Sequence, residues 1–241
     1  MQYQVSRAVA GPFLKALARP RVTGAEHVPA TGGALLASNH VSILDSVYLP
    51  LMLDRPVTFA AKSEYFTGTS LLHRFTGAYL RATNQLSTDR TGPRAAQDML
   101  QAALDRLLSG ELFGIYPEGT RSPDGRLYRG RIGVGWLAVN SGLPVIPVAM
   151  KGTDKILPPG RAIPRPGRIE IIIGEPLKLP PDTLDGPVAK VRRTITDEVM
   201  RAIQALSGQE YVPVYASTRK EELAARRAAQ RAKSVKGTAS R

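Results

Sequence analysis

The chain has 241 residues, 43% of them hydrophobic, which suits one large core in a single domain. Its net charge of +13 favours anionic partners such as nucleic acid, phospholipid headgroups or phosphorylated small molecules. The sequence contains no cysteine, which excludes disulfides, thiolate metal sites and a cysteine acyl-enzyme, and which fits a reducing, cytosolic environment.

The first predicted element is an amphipathic helix over residues 3–19, with Arg7, Lys15 and Arg19 outside its apolar face. Two interpretations are open: the helix lies flat on a lipid surface, or it packs on the domain as an ordinary helix. No apolar run approaches the roughly 18 to 20 residues that a membrane-spanning helix needs. We therefore expect any membrane contact to be peripheral, at the cytoplasmic face of the cell membrane.

The middle of the chain alternates short apolar runs with longer helical patterns between residues 21 and 207. This alternation predicts an α/β fold with a central, mostly parallel sheet flanked by helices. The predicted strands cover residues 33–38, 57–61, 112–116, 144–150 and 168–174. The predicted helices cover residues 42–53, 64–75, 93–109, 132–141 and 188–206.

The end of the chain is strongly basic. Eight Lys or Arg residues oppose Glu221 and Glu222 between residues 219 and 241. Such a block is typical of a solvated helix or of disorder, and it is also compatible with an electrostatic tether to anionic lipid.

The first group of candidate functional residues follows the strand predicted at residues 33–38. His40 and Asp45 are five residues apart, so one continuous helix would not turn them to the same side. We therefore expect His40 in the turn before the helix, where its ring can meet the Asp45 carboxylate. The alternative is structural, because Ser42 to Asp45 also matches a capping box with Ser42 as the N-cap residue.

The second group lies in a loop after the strand predicted at residues 112–116. Gly119 would let backbone N–H groups approach a phosphate, and Thr120 and Ser122 add hydroxyl groups. Arg121 can bind two phosphate oxygens at once. The alternative is a surface turn with a solvated pair of Arg121 and Glu118. If the sheet is parallel, both loops leave the same edge, and His40 and Arg121 would face one cleft.

Both loops resemble known sequence blocks. Asn39 and His40 with Asp45, and residues 117–122, are similar to the H-x4-D and F-P-E-G-T-R-S blocks of the lysophosphatidic acid and glycerol-phosphate acyltransferase family. Two weaker counterparts lie at residues 77–90 and 145–148, and the resemblance covers roughly residues 22–205. Tyr116 stands where the family usually has Phe.

The resemblance implies transfer of a fatty acyl group from acyl-CoA or acyl carrier protein to a hydroxyl of lysophosphatidic acid or glycerol 3-phosphate, in phospholipid biosynthesis. His40 would be the general base, held by Asp45, in a direct attack without an acyl-enzyme. The resemblance implies a further set of substrate-binding residues: Lys62, Arg90, Glu118, Gly119, Thr120, Arg121, Ser122, Ile146 and Pro147. Within this set, Lys62, Arg90 and Arg121 would bind the acceptor phosphate, and Ile146 and Pro147 would wall the site.

On this interpretation residues 1–20 form an interfacial helix, residues 21–210 the acyltransferase domain and residues 211–241 a basic tail. The partners would be an anionic membrane lipid surface, the acceptor and the acyl thioester, and the reaction needs no metal or other cofactor. The same chemistry on another lysophospholipid or a glycolipid is an alternative. A nucleic-acid-binding protein is a distant one, because only 6% of the residues are aromatic and no nucleic-acid-binding motif is evident.

Overall fold

The computed structural model describes residues 2–62, 85–88, 94–158, 161, 163–178 and 186–238. The helix predicted at residues 64–75, most of the block at residues 77–90 and Arg90 itself lie outside the described residues. The described strands are β1 (Arg21–Thr23), β2 (Ala34–Ser38), β3 (Val57–Lys62), β4 (Leu86–Thr88), β5 (Leu112–Ile115), β6 (Leu127–Tyr128), β7 (Val145–Lys151), β8 (Glu170–Ile173) and β9 (Tyr211–Val212). The described α-helices are α1 (Gln2–Ala18), α2 (Asp45–Met52), α3 (Ala95–Leu108), α4 (Gly133–Ser141), α5 (Thr153–Ile156), α6 (Val188–Ser207) and α7 (Ala216–Thr238).

The main sheet has the strand order β1-β8-β7-β2-β5-β3-β4. The strands from β7 to β4 in this order run parallel, whereas β8 pairs antiparallel with β7 and β1 follows the direction of β8. The prediction of a mostly parallel sheet flanked by helices is therefore confirmed. Strands β2, β3, β5 and β7 all end at one edge of the sheet, which we call the carboxyl edge.

The sheet is covered on both faces, which explains why its central strands are continuously apolar rather than alternating. Every residue of β2 is buried. Its side chains alternate between two core clusters, with Leu36 beside Tyr48 on one face and Leu35 beside Leu137 on the other. Helix α2 and the end of α1 cover the first face, and α3, α4 and α6 cover the second.

Helix α1 is attached to the domain through its last turns. Ala18 is fully buried, and the Tyr48 hydroxyl donates a hydrogen bond to the Leu14 carbonyl at 3.0 Å. Phe13, in contrast, is 71% exposed. In the parts of the chain that the structure describes, no helix has both the length and the apolar character needed to cross a membrane.

The C-terminal residues begin as part of the domain. Strand β9 pairs with β6, and Ala216 at the start of α7 is fully buried. From Glu221 to Gln230 almost every residue of α7 is exposed. The strands β1, β4, β6 and β9 and the one-turn helix α5 were not predicted, because two to four residues carry too little hydrophobic pattern to stand out from a loop.

Candidate active site

The turn after β2 is fixed by the buried side chain of Asn39. Its amide oxygen accepts a hydrogen bond from the Met150 N–H at 2.7 Å, and its amide nitrogen donates to the Met150 carbonyl at 3.0 Å. The same nitrogen donates to the Gln209 side chain at 2.8 Å. Asn39 therefore ties this turn to β7 and to the residues before β9. The sequence showed Asn39 only as the neighbour of His40.

His40 and Asp45 meet as predicted. The His40 Nδ1 atom lies 2.9 Å from Oδ2 of Asp45, which is fully buried. The same oxygen accepts the N–H groups of Val41 and Ser42, each at 2.8 Å, and the other oxygen accepts the Thr153 hydroxyl at 2.5 Å. Because Nδ1 faces a carboxylate, it carries the ring proton in neutral His40, which leaves the Nε2 lone pair free as a base.

The alternative interpretation of this segment as a capping box is wrong for Ser42 and right for Asp45. Helix α2 begins at Asp45 with Leu44 as its N-cap residue, so Ser42 does not cap it and the predicted start at residue 42 is too early. The Ser42 hydroxyl accepts the Leu44 N–H at 3.4 Å, which is a bond within the turn and not a cap of the helix. Asp45 does reach back to the Ser42 N–H, so one carboxylate both orders the turn and holds His40.

Tyr116 packs flat against the His40 ring. The two ring centroids are 3.8 Å apart and the planes differ by 8°. The Tyr116 hydroxyl forms a hydrogen bond of 2.7 Å with Ser46, and burial raises the pKa of Tyr116, so the phenol stays protonated. The imidazole is thus held by Asp45 at its edge and by Tyr116 on its face.

The loop at residues 117–122, which we call the Glu118 loop, joins directly to His40. Glu118 is 1% exposed; it accepts the His40 N–H at 3.3 Å and the Tyr128 N–H at 2.9 Å. The Ser122 N–H donates to the His40 carbonyl at 2.7 Å. Burial raises the pKa of Glu118 to about 7, although the two backbone hydrogen bonds act in the opposite direction. The alternative of a surface turn with a solvated Glu118 is therefore wrong.

The remaining residues of the Glu118 loop differ in exposure. Gly119 has a φ of +72°, and a side chain there would meet Arg131 at 2.9 Å, so glycine suits this position. Arg121 is exposed, whereas Ser122 is buried and its hydroxyl accepts the Gly125 N–H at 3.0 Å. Thr120 is half-buried, and its hydroxyl oxygen accepts a hydrogen bond from the ammonium group of Lys220 in α7.

Three other predicted residues lie on strands of the sheet, Lys62 on β3 and Ile146 and Pro147 on β7. Lys62 is the last residue of β3, at the carboxyl edge, but its side chain is not among the described parts of the structure. Ile146 and Pro147 are buried within β7, and Ile146 pairs with Leu36, four residues before His40. Ile146 therefore lies within the sheet, level with Leu36, and no described hydrogen bond or ring contact joins it to His40.

Sequence reasoning missed two long-range contributors to this site. Thr153, in the one-turn helix α5, supports Asp45 from a position 108 residues away. Lys220, in α7, donates to Thr120 from a position 100 residues away. Neither contact has a local sequence signal, since each depends on where β7 and α7 are placed by the fold.

The chain is similar to known proteins over this region. A family model described as Acyltransferase matches residues 19–151. The 1-acyl-sn-glycerol-3-phosphate acyltransferase LPAT1, chloroplastic, of Arabidopsis thaliana is 32% identical over 168 residues, which make up 69% of this chain and 44% of that protein. The chain therefore spans less than half of the length of this plant relative.

A bacterial relative and a solved structure extend the likeness. The 1-acyl-sn-glycerol-3-phosphate acyltransferase of Bacillus subtilis (strain 168) is 28% identical over 159 residues, covering 65% of this chain and 73% of that protein. The crystal structure of the 1-acyl-sn-glycerophosphate (LPA) acyltransferase PlsC from Thermotoga maritima matches with a TM-score of 0.64 and 26% identity, covering 85% of this chain and 79% of that one. With a family model matching more than half of its length, the chain belongs to the acyltransferase family.

Proposed function

We propose that this protein transfers a fatty acyl group from acyl-CoA or acyl carrier protein to a hydroxyl of lysophosphatidic acid or glycerol 3-phosphate, a step of phospholipid biosynthesis. The observation that carries the proposal is the contact of 2.9 Å between His40 Nδ1 and the buried Asp45 carboxylate. It occurs in a chain of the acyltransferase family, with the Glu118 loop bonded to the backbone of the same histidine.

The first step needs a base, because an alcohol is almost un-ionised at neutral pH. The His40 Nε2 atom removes the proton of the acceptor hydroxyl while the hydroxyl oxygen forms a bond to the thioester carbonyl carbon. The Asp45 carboxylate stabilises the imidazolium that results. Stacking on Tyr116 restricts rotation of the ring, which favours one direction of attack.

The second step breaks the carbon–sulfur bond of the tetrahedral intermediate. The sulfur leaves as a thiolate whose conjugate acid has a pKa of about 8.5, if it resembles cysteine, so its departure needs little acid assistance. The imidazolium of His40 then returns its proton to the thiolate, and the base is regenerated. The acyl group passes directly from sulfur to oxygen, which is consistent with a chain without cysteine.

The acceptor would be recognised by its phosphate. Arg121 is exposed in the Glu118 loop, and two hydrogen bonds join this loop to the backbone of His40. A phosphate bound by Arg121 would therefore lie near the base. Lys62, at the carboxyl edge, and Arg90 would add positive charge. Glu118 would act by positioning the loop, because both of its oxygens accept backbone N–H groups. Gly119 and Ser122 would shape the loop, and Ile146 and Pro147 would line a deeper part of the acyl site.

The reaction would take place at a membrane surface. Residues 1–20 would form the interfacial helix, residues 21–210 the acyltransferase domain and residues 211–241 the basic tail, with the protein bound peripherally at the cytoplasmic face. Phe13 is 71% exposed, and such an exposed aromatic residue on a terminal helix that carries exposed Lys15 supports contact of α1 with lipid. Phe13→Asp should therefore reduce co-sedimentation with anionic vesicles, and unchanged binding would remove α1 from the proposed interface.

The direct test is thiol release from a long-chain acyl-CoA by the purified protein in neutral detergent, with and without lysophosphatidic acid or glycerol 3-phosphate. Release should depend on the acceptor, and His40→Ala should lower kcat by about 10²- to 10⁴-fold because the general base is lost. His27→Ala is the matched control, since the His27 ring contacts the Ile173 carbonyl outside this site.

Two outcomes separate the parts of this proposal. If His40→Ala keeps more than half of the activity, His40 is not the base. If acyl-CoA gives no release with any acceptor, the assay is repeated with acyl carrier protein as donor and with other lysophospholipids and glycolipids as acceptors. Failure of all these combinations would exclude the acyl-transfer function.

A further inference from the structure

The start of α7 lies against the Glu118 loop, although it is distant from it in sequence. Ala216 is fully buried, and the Ser217 hydroxyl accepts a hydrogen bond from Arg131 at 3.0 Å. Arg131 also lies over the Tyr215 ring, 5.1 Å from its centroid, and its side chain occupies the space beside Gly119. The Glu118 loop and the first turn of α7 are therefore held together by Arg131.

Lys220 extends this contact to the loop itself. Its Nζ atom donates a hydrogen bond to the Thr120 hydroxyl oxygen at 2.5 Å. An ammonium group has three N–H donors, so two remain for other acceptors. Because Thr120 accepts from Lys220, its own O–H is free to donate to an acceptor on the opposite side.

Lys220 and Arg121 lie close enough to each other to interact electrostatically. Among the ion pairs between described residues, none includes Lys220 or Arg121. The neighbouring Glu118 directs both oxygens at backbone N–H groups. Burial and then the nearby Arg121, a second cation, lower the pKa of Lys220, whereas Glu118 raises it less strongly. A bound anion would relieve the repulsion between the two cations.

We propose that Lys220, supplied by the C-terminal helix, binds the phosphate of the acceptor together with Arg121 and the Thr120 hydroxyl. This inference rests on the proposed function and adds to it a preference among acceptors. A phosphate monoester carries a charge of about −1.5 to −2 at neutral pH, which two cations match better than one. Lys220 therefore favours an acceptor with a terminal phosphate over a neutral acceptor or one whose phosphate is esterified twice.

The test compares two acceptors across three variants in neutral detergent. Lys220→Met removes the charge and keeps an unbranched apolar stem, and Lys220→Arg keeps the charge. Arg226→Ala is the matched control, because Arg226 is exposed on the same helix and its loss removes the same charge. The acceptors are lysophosphatidic acid and a neutral monoacylglycerol with the same acyl chain.

The expected result is a selective loss. Lys220→Met should raise the KM for lysophosphatidic acid by about 10- to 100-fold, as for a hydrogen bond to a charged group, with kcat and the KM for acyl-CoA within about twofold of the wild type. Its preference for lysophosphatidic acid over monoacylglycerol should fall by a similar factor. Lys220→Arg should recover part of the loss, and Arg226→Ala should behave as the wild type.

Other outcomes overturn the inference without touching the proposed function. Equal losses of kcat/KM with both acceptors, or increases in the KM for lysophosphatidic acid and also for acyl-CoA, would show that Lys220 only attaches α7 to the domain. If the wild type is active and Lys220→Met has the same KM and acceptor preference as Arg226→Ala, Lys220 is not part of the phosphate site. If Lys220→Met does not fold, Lys220→Gln takes its place, because it removes the charge and keeps a polar side chain, and unchanged selectivity in that variant would contradict the inference. Inactivity of the wild type with every acceptor would instead refute the proposed function.

Discussion

The two loops that form this site are built in different ways. The segment at residues 38–45 brings His40 to its carboxylate partner through local contacts, since Asp45 binds His40 and the N–H groups of Val41 and Ser42. The Glu118 loop is held by residues that come later, namely Tyr128, Arg131 and Lys220. A histidine and its carboxylate partner can thus be encoded in one short segment, whereas the Glu118 loop needs support from the rest of the fold.

The largest effect is expected from Glu118→Gln, which removes one of the two acceptors that bind the His40 N–H and the Tyr128 N–H. A glutamine has one acceptor oxygen, so either the His40 N–H or the Tyr128 N–H would face an N–H₂ group instead of an acceptor. We expect the free energy of unfolding at pH 5 to fall by about 1–3 kcal/mol, as for a buried donor left without a partner. Denaturant unfolding measures it, with the exposed Glu26→Gln as control.

The same variant carries a pH dependence. Burial raises the pKa of Glu118 from 4.5 to about 7, so over this interval the folded state keeps a proton that the unfolded state has released. The contribution of Glu118 to stability is therefore largest at low pH and is lost as the pH rises through 7. Since Gln does not titrate, the stability difference between wild type and Glu118→Gln should shrink from pH 5 to pH 8. A constant difference would contradict the raised pKa.

A much smaller effect is expected from Ser42→Ala, which tests the local segment. If Ser42 were the N-cap of α2, the substitution would cost about 1 kcal/mol. In the structure its hydroxyl makes only long hydrogen bonds, of 3.4 Å from the Leu44 N–H and 3.5 Å to the Leu157 carbonyl. We therefore expect the free energy of unfolding to change by less than about 0.5 kcal/mol. A loss of 1 kcal/mol or more would restore the capping interpretation.

The same division limits what the sequence could predict. Continuous apolar runs gave the central strands and the α/β class, because a strand buried on both faces needs such a run. The His40–Asp45 contact was predictable because it depends only on a turn and the first residue of a helix. Thr153, Tyr128 and Lys220 were not, because their hydrogen bonds join residues whose proximity is created by the sheet order and by the return of the chain after α6.

The burial of Glu118 shows the same limit. Its position in the sequence, between proline and glycine in a polar loop, is equally compatible with exposure. What decides its burial is that two backbone N–H groups from separate segments converge on one carboxylate. Such donors offset part of the hydration that a buried carboxyl group loses, and no short sequence pattern records that exchange.

The bond from Asn39 to Gln209 has a consequence for how this protein is made. Residues 38–45 leave the ribosome long before residues 209–220, so the histidine and its carboxylate can pair while the support of the turn is still incomplete. A chain interrupted after residue 151 would contain the whole segment that the family model matches, yet it would lack Gln209 and Lys220. The segment that the family model matches is therefore shorter than the part of the chain that must be synthesised before these contacts can form.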